Sequence, residues 1–559
     1  MKVCLFLLTM MILLACSQTG KEPASEPLTI AGLTLKDPQH LKRQLEKFSP
    51  TDISFDRSQL DETQNKVLDK LIEAAGYMDE IFLRQVYEGN VEIRDKLRTS
   101  SLPEAEWYLR YFVINFGPFD RLEDDEPFIG KDTKPLGASY YPEDLTKEEL
   151  EEWIIEHPDD QAAFESNFTV IRRKGDALVA VPYSEEYREF LEPAAGALKE
   201  AADLTSNPSL RKYLTSRAEA FLSNDYYVSD MDWMDLEGNL VDPTIGPYEV
   251  YEDGLMGYKA AFESFLTIKD VEESAKFAEF GAYLPELEMN LPIDEIYKNT
   301  KRGLSSPTSV ANEVFTAGDT KAGVQTIAFN LPNDERVREA KGSKKVMLKN
   351  VIRAKFDKIL VPIAAEVLAD EFIEFVNFDS YFYETYMHEM AHGLGPGRIT
   401  VHGRETTVNK ELKEHYSAIE EAKADIVGLL NVFYFYKKGQ LSLDENRTFS
   451  TFLAGIFRSI RFGVNEAHGK ANLIELNYLL DKGHITQDPH SLKFSIDVQS
   501  AQTGIEQLAR DLLMLEALGD YEATCRFIER YGQLGEDTQK LLDSLTKIPV
   551  DIAPIFTSK

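Results

Sequence analysis

The sequence predicts an α+β protein that is predominantly helical, and three observations predict it. Apolar residues recur three and four apart through long stretches in both halves of the chain, as on the buried face of an amphipathic helix. Two β-rich arms, Phe168–Arg172 and Ala177–Pro182, flank the turn Lys174-Gly175-Asp176 and read as a hairpin. Between about 235 and 345, short β-leaning pieces are broken at Gly246-Pro247, Asp253-Gly254, Leu291-Pro292 and Leu331-Pro332, as in a small sheet or barrel set among helices.

Size and charge narrow the function classes. The 559 residues carry 61 Lys plus Arg against 95 Asp plus Glu, a formal charge of −34 that opposes binding along a phosphate backbone and excludes nucleic acid as a partner. Hydrophobic residues at 43% and aromatics at 11% supply a large core, so wholesale disorder is excluded. The length suits two to four domains or one large bilobed body.

Along the chain, Met1-Lys2 and the apolar run Val3–Ala15 form a secretory signal too short to span a bilayer. It closes on Leu13-Leu14-Ala15-Cys16, which resembles a bacterial lipobox. Residues 1–16 are therefore expected to be a lipoprotein signal peptide, with Cys16 lipidated and the protein held in the bacterial envelope by that lipid alone. Ser17 after Cys16 favours the outer membrane under the common sorting rule, with the protein facing the periplasm. Cys525 is then the one other mature cysteine, so no internal disulfide forms. The small, polar, Pro-containing stretch 17–34 reads as a flexible tether. Residues 35–345 are expected to form a mixed helical and β lobe, with helices through Val67–Ile81 and Phe190–Leu204. Residues 346–559 read as a mainly helical lobe: Phe356–Ile373 with Pro362 as a potential break, Asp379–His392, Ser417–Tyr436, Glu466–Asp481 and Ile505–Leu518. The chain has no P-loop, GxGxxG or GxSxG motif, which leaves nucleotide and serine-hydrolase readings without support.

The sharpest chemical signal is His388-Glu389-Met390-Ala391-His392. At about 100° per residue the two histidines of a helix stand only about 40° apart, so both imidazoles reach one Zn²⁺ from one face. Glu389, offset to the side, is placed to hold and deprotonate a water there. Phe382, Met387 and Met390 would bury this helix and Gly393 would end it.

A catalytic zinc needs a third protein ligand and an open fourth position. A metzincin would place a histidine where this sequence has Arg398, so that reading fails at its ligand. The helix Ser417-Ala-Ile-Glu420-Glu421-Ala-Lys-Ala-Asp425 offers a better one. Glu421 can bind the zinc while Asp425, one turn on, orients a ligand histidine through its other nitrogen. His402 and His415 are the alternative ligands. Glu420 stands about 100° from Glu421 and so has a different role, either in the shell around the ligands or in an S-x-x-E capping box with Ser417.

With these two helices in hand, the sequence resembles the dipeptidyl peptidase III family of zinc peptidases. Three further segments, in the same order over about 225–485, carry the resemblance. Thr244-Ile-Gly-Pro-Tyr-Glu249-Val-Tyr251-Glu252-Asp253 is similar to a family segment whose Glu receives the free amino group of the substrate and whose Tyr helps polarise the scissile carbonyl. Asn330-Leu-Pro-Asn333 is similar to the Asn-x-Pro-Asn whose amides hold the substrate backbone. Glu466-Ala467-His468 resembles the site of a second catalytic histidine that assists the tetrahedral intermediate. One departure stands out: the family usually spaces its histidines as HExxGH, whereas His388 and His392 have the five-residue spacing that a regular helix satisfies without a bulge.

The resemblance implies two lobes around a wide cleft, a helical zinc lobe and a lobe with a small β-barrel, closing about a hinge. It implies one zinc per chain held by His388, His392 and Glu421, and catalysis by Glu389, Tyr251 and His468. Glu249, Asn330 and Asn333 would bind short peptides with a free N-terminus and release dipeptides. The rival readings are a zinc aminopeptidase or oligoendopeptidase of other specificity, and a non-catalytic peptide-binding lipoprotein.

Overall fold

The computed structural model describes residues 28–299, 308–461, 463–464 and 466–558. The expected signal peptide and residues 17–27 of the expected tether lie outside them. Residues 28–34 of that tether are folded: Thr29–Ile30 pairs with Leu33–Thr34, and Ile30 is buried in a core with Leu41, Phe82 and Phe112. Among the described residues no helix is long and apolar enough to cross a membrane.

The fold is α+β and predominantly helical, in two lobes. In the first, the helix Glu62–Val86 starts at a capping box of Asp61 and Gln64. Its face of Val67, Leu71, Ala74 and Met78 packs on Arg188–Leu204, which in turn packs on Pro208–Ser223. The small residues Ala194, Ala197 and Ala201 lie fully or almost fully buried in this packing. The expected hairpin is present as Thr169–Lys174 with Ala177–Pro182, joined through Gly175 at φ +64°.

The expected small barrel is instead an open five-stranded sheet. Its strand order is Ala328–Leu331, Lys344–Leu348, Thr308–Gly318, Ala261–Lys269 and Val241–Glu249, with the two outer strands left as edges. Only the pair Thr308–Gly318 with Lys344–Leu348 is parallel. Gly246-Pro247, read from sequence as a break, lies inside the edge strand Val241–Glu249. An edge tolerates a residue with no N–H to give. A register shift between Pro247 and Glu249 marks a bulge there, the usual device for re-aiming a side chain beside a site.

The second lobe is built on the helices Phe378–Ala391, Tyr416–Lys437, Glu445–Ile460, Ala467–Asp481 and Val498–Leu518 around one large apolar core. The long element before them runs Lys349–Lys355, a π-helical turn Phe356–Leu360, then Val361–Val367. The wide turn accommodates Pro362, whose ring and missing N–H disturb a regular helix one turn back. The division expected at 345 is crossed twice. Phe277, Phe280, Leu284 and Leu287 belong to the core of the helical lobe. Conversely, Asp551–Ser558 pairs in parallel with Phe48–Phe55; within the second half, Asp551 forms a buried ion pair at 2.9 Å with Lys355.

Candidate metal centre and substrate-binding strand

The helix Phe378–Ala391 carries His388 and Glu389 in its last turn, and His392 caps it. It is buried through Phe382, Tyr386 and Met387, with the Tyr386 ring stacked on Phe277 at 3.8 Å. It lies against Tyr416–Lys437 so closely that a Cβ on Gly428 would stand 2.7 Å from the backbone nitrogen of His388. Only glycine allows that approach. It brings Glu421 and Asp425, one to two turns earlier on the same helix, beside the imidazoles.

Each imidazole is fixed through Nδ1. His388 Nδ1 meets Asp425 Oδ1 at 2.6 Å and His392 Nδ1 meets Glu420 Oε1 at 2.8 Å. With Nδ1–H donated to a carboxylate, each Nε2 presents a lone pair. These two Nε2 atoms lie 3.1 Å apart, and Glu421 Oε2 stands 3.4 and 3.8 Å from them. Two imidazole nitrogens and a carboxylate oxygen converge there at the spacing of ligands to one cation. Glu421 Oε2 is buried and makes no hydrogen bond, an orphan that a metal ion would satisfy. Ligand atoms about 2.0–2.2 Å from one tetrahedral ion stand roughly 3.3–3.5 Å apart, so the donor set fits such an ion.

The surrounding charges fit as well. Burial alone would lower His388, but the charge and hydrogen bond of Asp425 lift it to about 10, so the pocket demands positive charge at this point. Burial would raise Asp425; His388 overrides this and holds it low, while Asn472 Nδ2 donates to Asp425 Oδ2 at 2.9 Å. Glu420 is held down at about 2: burial opposes ionisation, but the hydrogen bond from His392 and the charge of Lys423 win. Glu420 thus holds the His392 ring through Nδ1, and the expected capping box with Ser417 is absent, because the helix begins at Tyr416 with no side-chain cap. Changing Glu420 to Gln should weaken metal affinity by about 10–100-fold, read by competition with a fluorescent chelator; unchanged affinity would remove Glu420 from the centre.

Two lysines here escaped the sequence reading. Lys423 is buried and donates to Glu420 at 2.7 Å and to the carbonyls of Ala391 and Leu394 at 3.1 Å, closing the end of the His388 helix. Its spacing of three from Glu420 on one helix was the available signal. Lys345 donates to Glu389 Oε2 at 2.6 Å from a strand 44 residues earlier, where no local pattern announces it. Burial would raise the Glu389 carboxyl, but Lys345 and His388 hold it below the usual range, so it is ionised at neutral pH.

The other expected residues divide into two groups. His468 joins the centre, with Nε2 3.2 Å from Glu421 Oε2 and Nδ1 2.9 Å from Glu466. Burial would lower this imidazole; the hydrogen bond to Glu466 leads the effects that raise it. Glu249 ends one outer strand of the sheet, Asn330 stands on the other, and Asn333 follows just beyond it. Asn330 stands on the edge strand opposite Lys345, beyond which a cis peptide joins Leu331 to Pro332. Asn333 Nδ2 donates to the carbonyl of Tyr248 at 3.1 Å, and its Oδ1 accepts from Arg338 at 2.8 Å. Burial raises the half-buried Glu249 above its ordinary value, against a hydrogen bond from Asn333. Tyr251 is 86% exposed on the turn after the bulged strand, and no hydrogen bond among the described residues ties it to the metal-side groups. The nearby Glu249 charge raises its phenol. His402 sits at a hairpin turn with φ +50° and His415 stacks on Tyr521, so neither alternative ligand reaches the centre. The centre opens into a cavity of about 180 Å³ whose lining includes His388, Glu389, His468 and Asn472, with Ile327, beside the edge strand, on its rim.

Two carboxylate-oriented imidazoles, a third carboxylate and an ionised glutamate at their side define a metal-dependent hydrolase. The chain belongs to peptidase family M49, whose model matches residues 160–440, and it is a metallopeptidase. The structure of dipeptidyl peptidase III from Caldithrix abyssi superposes with a TM-score of 0.90 at 55% identity, covering 92% of this chain and 99% of that one. Dipeptidyl-peptidase III from Corallococcus sp. strain EGB gives a TM-score of 0.77 at 44% identity, over 93% and 98% of the two chains. A protein of Arabidopsis thaliana named Nudix hydrolase 3 is 40% identical over 92% of this chain and 74% of its own length.

Proposed function

We propose that this protein is a zinc-dependent exopeptidase that releases dipeptides from the N-terminus of short peptides. The observation that carries the reading is the convergence of His388, His392 and the unbonded Glu421 Oε2 beside an ionised Glu389. The family and the two dipeptidyl peptidase III structures support it. His388, His392 and Glu421 hold one zinc ion per chain, which supplies a Lewis acid and an open position when bound.

The chain's own groups do the rest. Glu389 takes the proton of the attacking water on its carboxylate and passes it to the leaving amine. His468, held up by Glu466, donates a hydrogen bond to the oxygen of the tetrahedral intermediate. Tyr251 reaches the same carbonyl as the lobes close on substrate. Asn330 and Asn333 fix the peptide backbone along the edge strand, and Glu249 receives its terminal ammonium. That last contact sets the register of cleavage, because it fixes the distance from the N-terminus to the reacting carbonyl. Cys16 anchors the mature protein by its lipid to the bacterial envelope, facing the periplasm, after removal of the signal peptide.

Acetylating the N-terminus of a tetrapeptide should abolish dipeptide release, read by mass spectrometry of the products, because Glu249 then faces a neutral amide. Equal cleavage of free and acetylated peptides would establish an oligoendopeptidase instead. Release of single residues would establish an aminopeptidase, and zinc binding without any cleavage a peptide-binding protein.

A further inference from the structure

We propose that Lys345 is a positioning residue that ties the base Glu389 to the strand on which the substrate is held. The inference rests on the reading of Glu389 as base.

Lys345 makes two contacts, both to one residue. Its Nζ donates to Glu389 Oε2 at 2.6 Å and to the Glu389 backbone carbonyl at 3.2 Å. That carbonyl needs a partner. Near the end of the helix the N–H of His392 goes to His388 and the N–H of Gly393 goes to Met390 at 2.9 Å, which passes over Glu389. The last carbonyls of a helix lack intrahelical donors, and one left bare in a partly buried site is costly. Lys345 therefore grips main chain and side chain together, which fixes the Glu389 rotamer relative to its own backbone and to the neighbouring His388 and His392. The pair is largely enclosed, with side-chain exposures of 18% for Lys345 and 29% for Glu389, so it is not a solvated surface ion pair.

The lysine comes from a telling place. It stands on Lys344–Leu348, one strand in from the sheet edge, directly opposite Asn330 on the edge strand. Residues directly opposite in an antiparallel pair share a face and lie about 5 Å apart. The asparagine assigned to the substrate backbone and the lysine that holds the base are thus the two ends of one rung of the ladder. A peptide held along the edge strand is set against the same rigid element that aims Glu389, so the distance from base to scissile bond is built into the sheet. Glu389 would otherwise depend on a helix end for its placement.

The test uses the full zinc-loaded enzyme with a tetrapeptide bearing a free N-terminus. Lys345→Met keeps the aliphatic stem and loses both hydrogen bonds; Lys345→Arg can still reach both acceptors. The Met variant should lose about 10²-fold in kcat, the scale of an ångström-level misplacement of a catalytic group. Its KM should change little, and its zinc content and melting temperature should match the parent. The Arg variant should regain most of the lost kcat. The proposal is overturned by a Met variant of full or higher kcat, which would make the ion pair neutral or inhibitory. It is equally overturned by a loss confined to KM, or by a loss that tracks released zinc or a lowered melting point. Glu389→Gln is measured in parallel: if it stays active the base assignment itself fails, whereas an inactive Glu389→Gln beside a fully active Lys345→Met sinks this inference alone.

Discussion

Replacing Glu389 by Gln should lower kcat/KM by about 10²–10⁴-fold, the contribution of a positioned general base, while the protein keeps its metal. The substitution preserves shape and leaves the backbone carbonyl for Lys345 to grip, so the helix end should stay in place. What disappears is a carboxylate that His388 and Lys345 keep ionised in a buried setting. Gln cannot accept a proton from water, and the ligand atoms of His388, His392 and Glu421 are untouched. Initial rates on a free-N-terminus peptide, paired with zinc stoichiometry on the same preparation, make the measurement. A variant with full turnover and a full complement of metal would assign the base elsewhere and with it dismantle the mechanism.

The second large effect concerns the ion itself. Chelation should abolish hydrolysis, and one equivalent of zinc should restore it. The same removal should also lower the melting temperature, because an ion that binds only the folded state stabilises it, by about 4 kcal/mol when free metal exceeds its dissociation constant a thousandfold. The structure gives the reason: without a cation, Glu421 Oε2 is buried with no hydrogen bond, beside two imidazoles that both turn Nε2 toward it. Glu421→Gln should reproduce the chelated protein, since an amide is a poor ligand. Unaltered hydrolysis and an unaltered melting curve after chelation would exclude metal-dependent catalysis.

How much of this site the sequence disclosed follows from the range of the interactions. His388, His392, Glu421 and Asp425 were legible because helical spacing is local: four residues apart means one face. Glu420 was ambiguous for the same reason, since a helix start offers a carboxylate two uses, and only the tertiary position of His392 selects between them. Lys345 and Asn472 lie 44 and 47 residues from the groups they bond, and nothing in their own neighbourhood marks them. The sheet was legible as short β-rich pieces but not as an open sheet, because strand order is a long-range property. Pro247 is the sharpest instance: the residue that reads as a breaker is permitted by an edge, and which strand is an edge cannot be read from the strand itself.

The parallel pairing of Asp551–Ser558 with Phe48–Phe55 has a consequence for biosynthesis. A nascent chain emerging from the ribosome presents the first of these strands early and must wait for nearly all remaining residues before the second is available. Lys355 likewise waits, its ammonium destined for a buried carboxylate that has not yet been translated. The helical half can compact on the way, as domains generally do during synthesis, but this parallel pair of strands can be completed only after translation has passed residue 558.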